Sequence, residues 1–339
     1  MRKIVLFDTS IATLNIGDEI IMSSIRKVLK DFLINSYCIN FPSHTPPFTL
    51  LQRIYRRKTM LFYDNIDYKF VCGTNLLYTS MFRPLPNWNI NIFNFRIAKN
   101  SILLGVGMGK NSNSIDLYTK YLYKKVLSKT FVHSVRDEKT KKMLNDLGFK
   151  ALNTGCPTLW LLTDSHCKKI PHNKSQSVVF TLTHYAYAKD MILDKEMIAI
   201  LRRNYDTIYF WPQCVDDLAY LNELNESEGI IVLPSNLESY ERILQTVDID
   251  YVGNRLHGGI YALQNKKRAI IISVDYRAEE MHKTFNIPCI SRCQMTECLE
   301  SKIQSSFETQ ITGLDFEKIN NWLGHFAICS LKKEKFNLY

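Results

Sequence analysis

Nowhere in this chain do about eighteen apolar residues run together without a charge, so no segment reads as a membrane-spanning helix. The opening Met1-Arg2-Lys3-Ile4-Val5-Leu6-Phe7-Asp8 starts basic, but its apolar run is short, ends at Asp8 and is followed by no small-residue cleavage site. A secretory leader is therefore not expected, and the cytoplasm is the expected compartment. Missing too is any C-x-x-C pair. The nine cysteines are odd in number and scattered, and even Cys289 and Cys293 lack the spacing of a zinc or redox site, which favours reduced thiols in the core. There is no H-E-x-x-H and no acidic pair set at the end of an apolar run, so no metal is expected. Asp216-Asp217 follow a proline-containing loop and read as a helix start.

What is present is a chain of 339 residues, longer than one hydrophobic core usually serves, so two domains are expected. Hydrophobic residues at 46% against charged residues at 22% fit a globular protein rather than a disordered one. The formal charge of +10 points to an anionic partner without naming it. Basic residues gather in Arg53-Ile54-Tyr55-Arg56-Arg57-Lys58, Lys266-Lys267-Arg268 and Lys332-Lys333-Glu334-Lys335, with no signature of a nucleic-acid-binding module. They read first as solvated faces and second as a patch for the cytoplasmic membrane surface or a lipid-linked substrate.

Short continuous apolar runs separated by helical stretches mark a parallel sheet covered on both faces. In the first half these are Lys3–Asp8, Lys69–Gly73, Ser101–Gly107 and Phe131–Arg136, with a helix from Asp137 to Gly148. Periodicity fades between Cys156 and Ser177, which places a domain boundary there. A second series follows at Ser177–Leu182, Thr207–Trp211, Gly229–Leu233, Ile249–Gly253 and Arg268–Ser273. The expected division is residues 1–165, residues 176–310, and a C-terminal helix with a basic tail at 311–339. Residues 316–330 read as an amphipathic helix and the lysine-rich end as mobile. The stretch Phe41–Tyr63, with Pro42, Pro46, Pro47 and several aromatics, reads as a mobile lid or a membrane-facing loop.

In open α/β sheets ligands sit beyond the carboxyl ends of the strands, so function is sought in those loops. Asn15-Ile16-Gly17-Asp18-Glu19 opens a helix whose amides could hold an anion, with plain capping by Asp18 as the competing account. Gly73-Thr74-Asn75 and Gly105-Val106-Gly107-Met108-Gly109 suit a phosphate-lined cleft but lack the full G-x-G-x-x-G spacing and the lysine of a P-loop. The sharpest constellation is Gly253-Asn254-Arg255-Leu256-His257-Gly258-Gly259. Arginine offers a planar fork for carboxylate or phosphate and histidine a proton near neutral pH, though a histidine fixed by local backbone fits the spacing equally. His184 and Gln213 follow strands of the second series and could touch substrate or merely pack, while apolar-flanked His133 reads as a core histidine.

Arg255-Leu256-His257 followed by a helix, the run Ile270–Ser273 and Asp275-Tyr276 resembles the signature region of polysaccharide pyruvyl transferases. Asn15-Ile16-Gly17-Asp18, Gly73-Thr74-Asn75, Gly105-Val106-Gly107 and Ser134-Val135-Arg136-Asp137-Glu138 resemble further segments of that family in the same order, across roughly residues 4 to 290. The resemblance implies an α/β fold of two Rossmann-like domains facing a cleft, as in GT-B glycosyltransferases. It implies phosphoenolpyruvate as donor, no cofactor, and a glycan or lipid-linked sugar acceptor destined for exopolysaccharide or capsule. His257 would be the general acid. Arg255 and Arg136 would contact the donor, and Asn15, Gly17, Asp18, Asn75 and His184 would complete the substrate site. Two departures stand out: the second strand carries only Gly73-Thr74-Asn75 of a richer glycine cluster, and Ala278-Glu279-Glu280 replaces a basic position, with Arg277 as a substitute.

Two other functions fit the same sequence. A GT-B glycosyltransferase would use Arg255 and His257 to hold a sugar-nucleotide diphosphate, with Glu238 or Glu241 taking the ribose. A non-catalytic component of a glycan-assembly complex would be consistent with Ala278-Glu279-Glu280.

Overall fold

The computed structural model describes residues 1–82, 86–109 and 114–326. Among them the chain divides into two compact units: residues 1–13, 21–160 and 315–326 form unit 1, and residues 14–20 and 161–314 form unit 2.

In unit 1, β1 (Arg2–Asp8) pairs in parallel with β2 (Ser36–Pro42) on one side and β3 (Tyr68–Cys72) on the other. Beyond β3, and after the short β4 (Asn75–Leu77), comes β5 (Ser101–Leu104), giving the sheet order β2-β1-β3-β5. A second short strand, β6 (Gly107–Met108), pairs with β4. Next, β7 (His133–Val135) pairs with β8 (Ala151–Asn153) and lies beside β5, joined to the strand-end region by the single bridge Val106–Val135.

Side chains complete that seam. The Leu103 N–H donates to His133 Nδ1 at 3.2 Å, and the Gly105 N–H donates to Ser134 Oγ at 2.9 Å. With Nδ1 accepting, the proton of the neutral ring sits on Nε2 and is donated to the Ser128 carbonyl at 3.0 Å. His133 is fully buried, as a core histidine, and it does the work of a missing backbone carbonyl.

Unit 2 holds one six-stranded sheet whose neighbouring pairs are all parallel. Its strands are β9 (Ser177–Thr181), β10 (Thr207–Phe210), β11 (Ile230–Val232), β12 (Ile249–Gly253), β13 (Ala269–Ser273) and β14 (Cys289–Ser291), in the order β11-β10-β9-β12-β13-β14. The chain winds outward from β9 to β11, then returns to the other side of β9 and winds out to β14. Between β9 and β12 the winding reverses, which opens a crevice at their carboxyl ends. The covering helices begin where short polar side chains accept from first-turn amides: Asp190 before Met191–Asn204, Asn236 before Leu237–Thr246 and Asp275 before Tyr276–Phe285.

Two expectations need correction. Phe41–Tyr63 is not a bare loop: after β2 it forms helices Leu50–Tyr55, started by a Thr49–Gln52 capping box, and Arg57–Asp64. Phe41, Phe48 and Tyr63 pack ring against ring with centroids 5.3–5.7 Å apart. The cluster Lys266-Lys267-Arg268 is not a solvated face. Arg268 is buried, pairs with Asp250 at 2.8 Å and donates to the carbonyls of Lys302, Ile303 and Ser305, because a desolvated guanidinium requires partners for its N–H groups. The expected amphipathic helix near the C-terminus is present as Phe316–Gly324, in unit 1: Ile319, Trp322 and Leu323 are buried and the Trp322 indole N–H donates to the Val132 carbonyl at 2.7 Å. The remainder of the expected helix to Ser330 and the lysine-rich end lie outside the described residues. Among the described residues no helix is long and apolar enough to cross a membrane.

Candidate functional site

The signature loop of unit 2 is built by close packing. Gly253 ends β12 so near β9 that a Cβ there would stand 2.7 Å from the Thr181 nitrogen and 2.8 Å from its carbonyl oxygen. Two helical glycines play the same part on the other side of the loop. A Cβ at Gly259 would come within 2.8 Å of the Tyr251 ring, and one at Gly258 within 3.2 Å of the Tyr251 hydroxyl. Glycine at these positions lets helix Leu256–Gln264 lie directly on β12 and β13.

The peptide of Arg255 is then held by a closed ring of hydrogen bonds. Its N–H donates to Thr181 Oγ1 at 3.2 Å, Thr181 donates to the Tyr251 hydroxyl at 2.7 Å, and Tyr251 donates back to the Arg255 carbonyl at 2.7 Å. His257 follows, half-buried, in the first turn of the helix.

The Arg255 side chain is buried and committed. Its Nε donates to the Leu182 carbonyl and to Asp217 Oδ2, both at 3.1 Å, and its Nη2 donates to Asp217 Oδ1. The Tyr185 ring faces the guanidinium at 4.6 Å. Burial works to lower the pKa of Arg255, but the adjacent Asp217 carboxylate outweighs it and holds the group above its ordinary value. Sequence reasoning offered this arginine to the donor; in the structure its charge is already compensated inside the protein.

Asp217 is the residue that sequence reasoning missed. Besides Arg255 it accepts from the Cys214 N–H at 2.9 Å, the His184 N–H at 3.1 Å and His184 Nδ1 at 2.8 Å. Fully buried, it ties together the loops after β9, β10 and β12. Its sequence signal, an acid in the first turn of helix Val215–Glu223, is the same as that of an ordinary capping residue.

His184 therefore carries its proton on Nδ1, toward Asp217, and turns Nε2 outward, 3.7 Å from the exposed Asp216 carboxylate. His184, Cys214 and Asp217 lie close enough together to suggest a metal site. The chemistry does not fit one: five N–H donors occupy the lone pairs of Asp217, and one cation already sits on it.

Asn15, Gly17 and Asp18 also belong to unit 2. Asn15 Oδ1 accepts from the Gly17 N–H at 2.9 Å and from Gln213 Nε2 at 2.7 Å, while the Ile16 N–H donates to the Gln213 carbonyl at 3.1 Å. The first turn of helix Ile16–Val28 is thus capped by Asn15, and Asp18 is buried within that turn. A Cβ on Gly258 would lie 3.5 Å from Gln213 Oε1, so Gln213 connects this segment to the neighbour of His257.

Unit 1 gathers Asn75 and Arg136. The half-buried Arg136 extends across Gly107, where a side chain would collide with it, and its Nη2 donates to Asn75 Oδ1. Gly73 and Gly105 both adopt left-handed backbone, with φ of 59° and 63°, and a Cβ on either would overlap Ile21 or Pro157 respectively. These glycines bring the ends of β3 and β5 under Arg136. Arg277, the candidate substitute for the missing basic residue, folds back onto Asp275 at 2.5 Å.

A family model for polysaccharide pyruvyl transferases matches residues 15–276, well over half of the chain. The chain belongs to the polysaccharide pyruvyl transferase family. The match takes in the Asn15 cap, Asn75, Arg136, His184, Asp217, Arg255 and His257 together. No curated protein sequence matches the chain.

Among solved structures, the UDP-GlcNAc 2-epimerase of Methanocaldococcus jannaschii, in complex with UDP-GlcNAc and UDP, is similar over 96% of this chain and 100% of its own, at 13% identity and a TM-score of 0.50. The heptosyltransferase WaaC of E. coli, with ADP-2-deoxy-2-fluoro heptose, covers 80% of this chain and 88% of its own, at 12% identity and a TM-score of 0.38. At such identities the epimerase likeness concerns fold alone, and the family member described here has an α/β fold of the GT-B class.

Proposed function

We propose that the chain transfers pyruvate from phosphoenolpyruvate to a pair of hydroxyls on a surface-polysaccharide precursor, closing a ketal, in the cytoplasm and without a metal or resident cofactor. What supports this reading is the Asp217–His184 dyad on the loops after β9 and β10, together with His257 in the first helical turn after β12, in a sheet whose winding reverses between β9 and β12 and in a chain of this family. One histidine can give a proton while a second, oriented through Nδ1, can take one.

In the proposed reaction His257 delivers a proton to the terminal enol carbon of phosphoenolpyruvate, turning its methylene into a methyl group and leaving a cationic centre at the neighbouring carbon. The first sugar hydroxyl adds there and its proton passes to His184 Nε2. The bond from that carbon to the phosphate oxygen then breaks, and the second hydroxyl closes the ring. One of the two hydroxyl protons replaces the one given by His257, and the other leaves on the phosphate.

Arg136 supplies positive charge for the anionic donor, Arg255 holds Asp217 and so the dyad, and Asn15, Gly17, Asp18 and Asn75 bound the substrate sites. A correctly placed acid contributes roughly 10²–10⁴ in rate. Phosphate release from phosphoenolpyruvate should therefore depend on an acceptor, chosen from a panel of lipid-linked and nucleotide-linked sugars. It should fall by about that factor in His257→Ala, and His184→Gln should lose the limb of the pH profile that reports the base. No release with any acceptor, together with tight binding of a sugar nucleotide, would move the assignment to glycosyl transfer.

A further inference from the structure

Between Asp31 and Asp64 the chain contains no acidic residue, yet it carries Arg53, Arg56, Arg57 and Lys58. Within this stretch the helix Leu50–Tyr55 turns three large apolar residues outward at positions i, i+3 and i+4: Leu51 is 65% exposed, Ile54 62% and Tyr55 84%. Leu61 on the following helix is 49% exposed. Residues at that spacing share one helix face. The aromatic cluster of Phe41, Phe48 and Tyr63 anchors the segment from the inside without using those side chains. Asp64, the first acid after the stretch, is bound to Arg96 at 2.5 Å, so its charge does not offset the basic run.

We infer that this face is an interfacial docking surface for a bilayer containing anionic lipids. An exposed apolar stripe flanked by arginine and lysine is what a helix needs to lie in the headgroup region, with its apolar side chains below the phosphates and its cations among them. The charge decides the occupant. A second copy of this chain would bring two basic surfaces together, whereas an anionic leaflet attracts each of these cations. The inference is independent of the reaction proposed above, because no residue of the candidate site takes part in it. If that reaction is also right, docking would hold the enzyme where lipid-linked acceptors lie.

The test is co-sedimentation of the full chain with phosphatidylcholine vesicles and with vesicles containing about 30% phosphatidylglycerol. Binding to the anionic vesicles, weakened by raising the salt concentration and at least tenfold weaker in the triple variant Leu51→Ser/Ile54→Ser/Tyr55→Ser and in Arg53→Glu/Arg56→Glu, is the expected result. All five side chains lie at the surface, so unchanged thermal unfolding of both variants serves as the folding control. Equal binding to both vesicle types, no binding to either, or anionic binding untouched by both variants would overturn the inference. Concentration-dependent dimerisation that the triple variant abolishes, without lipid binding, would assign the face to a second copy instead and would likewise overturn it.

Discussion

The two units each place an arginine at the carboxyl end of a strand, and they treat it in opposite ways. In unit 1 Arg136 is half-buried and its hydrogen-bond partner among the described residues is the neutral amide of Asn75. In unit 2 Arg255 is buried against the Asp217 carboxylate. The contrast extends to the surroundings. The strand-end seam of unit 1 is joined by neutral groups, His133 and Ser134, whereas unit 2 is crossed by the buried ion pairs Asp217–Arg255, Asp250–Arg268 and Asp194–Arg292. An arginine beside an amide keeps its net charge uncompensated; one beside a carboxylate has that charge balanced within the protein. Proximity to a signature motif therefore does not say how an arginine's charge is balanced.

The contrast is broken most directly at Asp217. Removing one partner of a buried ion pair leaves an uncompensated charge and costs about 3–5 kcal/mol, so Asp217→Ala should lower the denaturant midpoint of unfolding sharply. Arg136→Ala should change stability by less than about 1 kcal/mol while weakening the donor-dependent activity. If the two substitutions destabilise equally, the scaffold and ligand roles are misassigned.

Acid should separate the units next. Burial pushes the pKa of His133 down to about 4, partly opposed by its bond to the Ser128 carbonyl. In the unfolded chain a histidine titrates near ~6.5, so on acidification the unfolded state binds the proton first. The stability that His133 supports is complete above about pH 6.5, declines by ~1.4 kcal/mol per pH unit below that, and levels off near pH 4 after a loss of ~3 kcal/mol. Urea midpoints measured across this window should show the slope, and His133→Gln, whose amide can both accept from Leu103 and donate to Ser128, should flatten it. A slope unchanged in that variant would place the titrating group elsewhere.

The smallest effects come from glycines. Gly253→Ala pushes a methyl group against the backbone of Thr181, which cannot yield cheaply, and should cost about 1–3 kcal/mol in thermal or chemical unfolding. Gly107→Ala meets the side chains of Arg136 and Asn75 instead, which can swing away. It should lose less stability than Gly253→Ala but raise the KM for the donor, because it displaces Arg136.

Strand periodicity made β1, β3, β5, β7 and β9 to β13 legible in the sequence. It passed over β2, whose Ser36–Pro42 run mixes polar and apolar residues at a sheet edge, and the two- and three-residue strands β4, β6, β8 and β14. The loop carrying Arg255 and His257 was legible because its glycines and its arginine stand together in sequence. Asp217 was not, because its partners come from loops more than thirty residues away on either side and only the sheet order brings them to one carboxylate. The same holds for Asn15: its tie to Gln213, 198 positions on, has no local signature.

The interleaving of the chain has a consequence for its synthesis. Unit 1 is completed by Trp322, which packs against Trp160 and Phe70, and that helix leaves the ribosome after every residue of unit 2 within 161–314 has been made. Until then the aromatic rings of unit 1 that await Trp322 and Phe326 are uncovered. The unit translated first is thus the last to be closed, and during that interval its uncovered aromatic surface is exposed to non-native association.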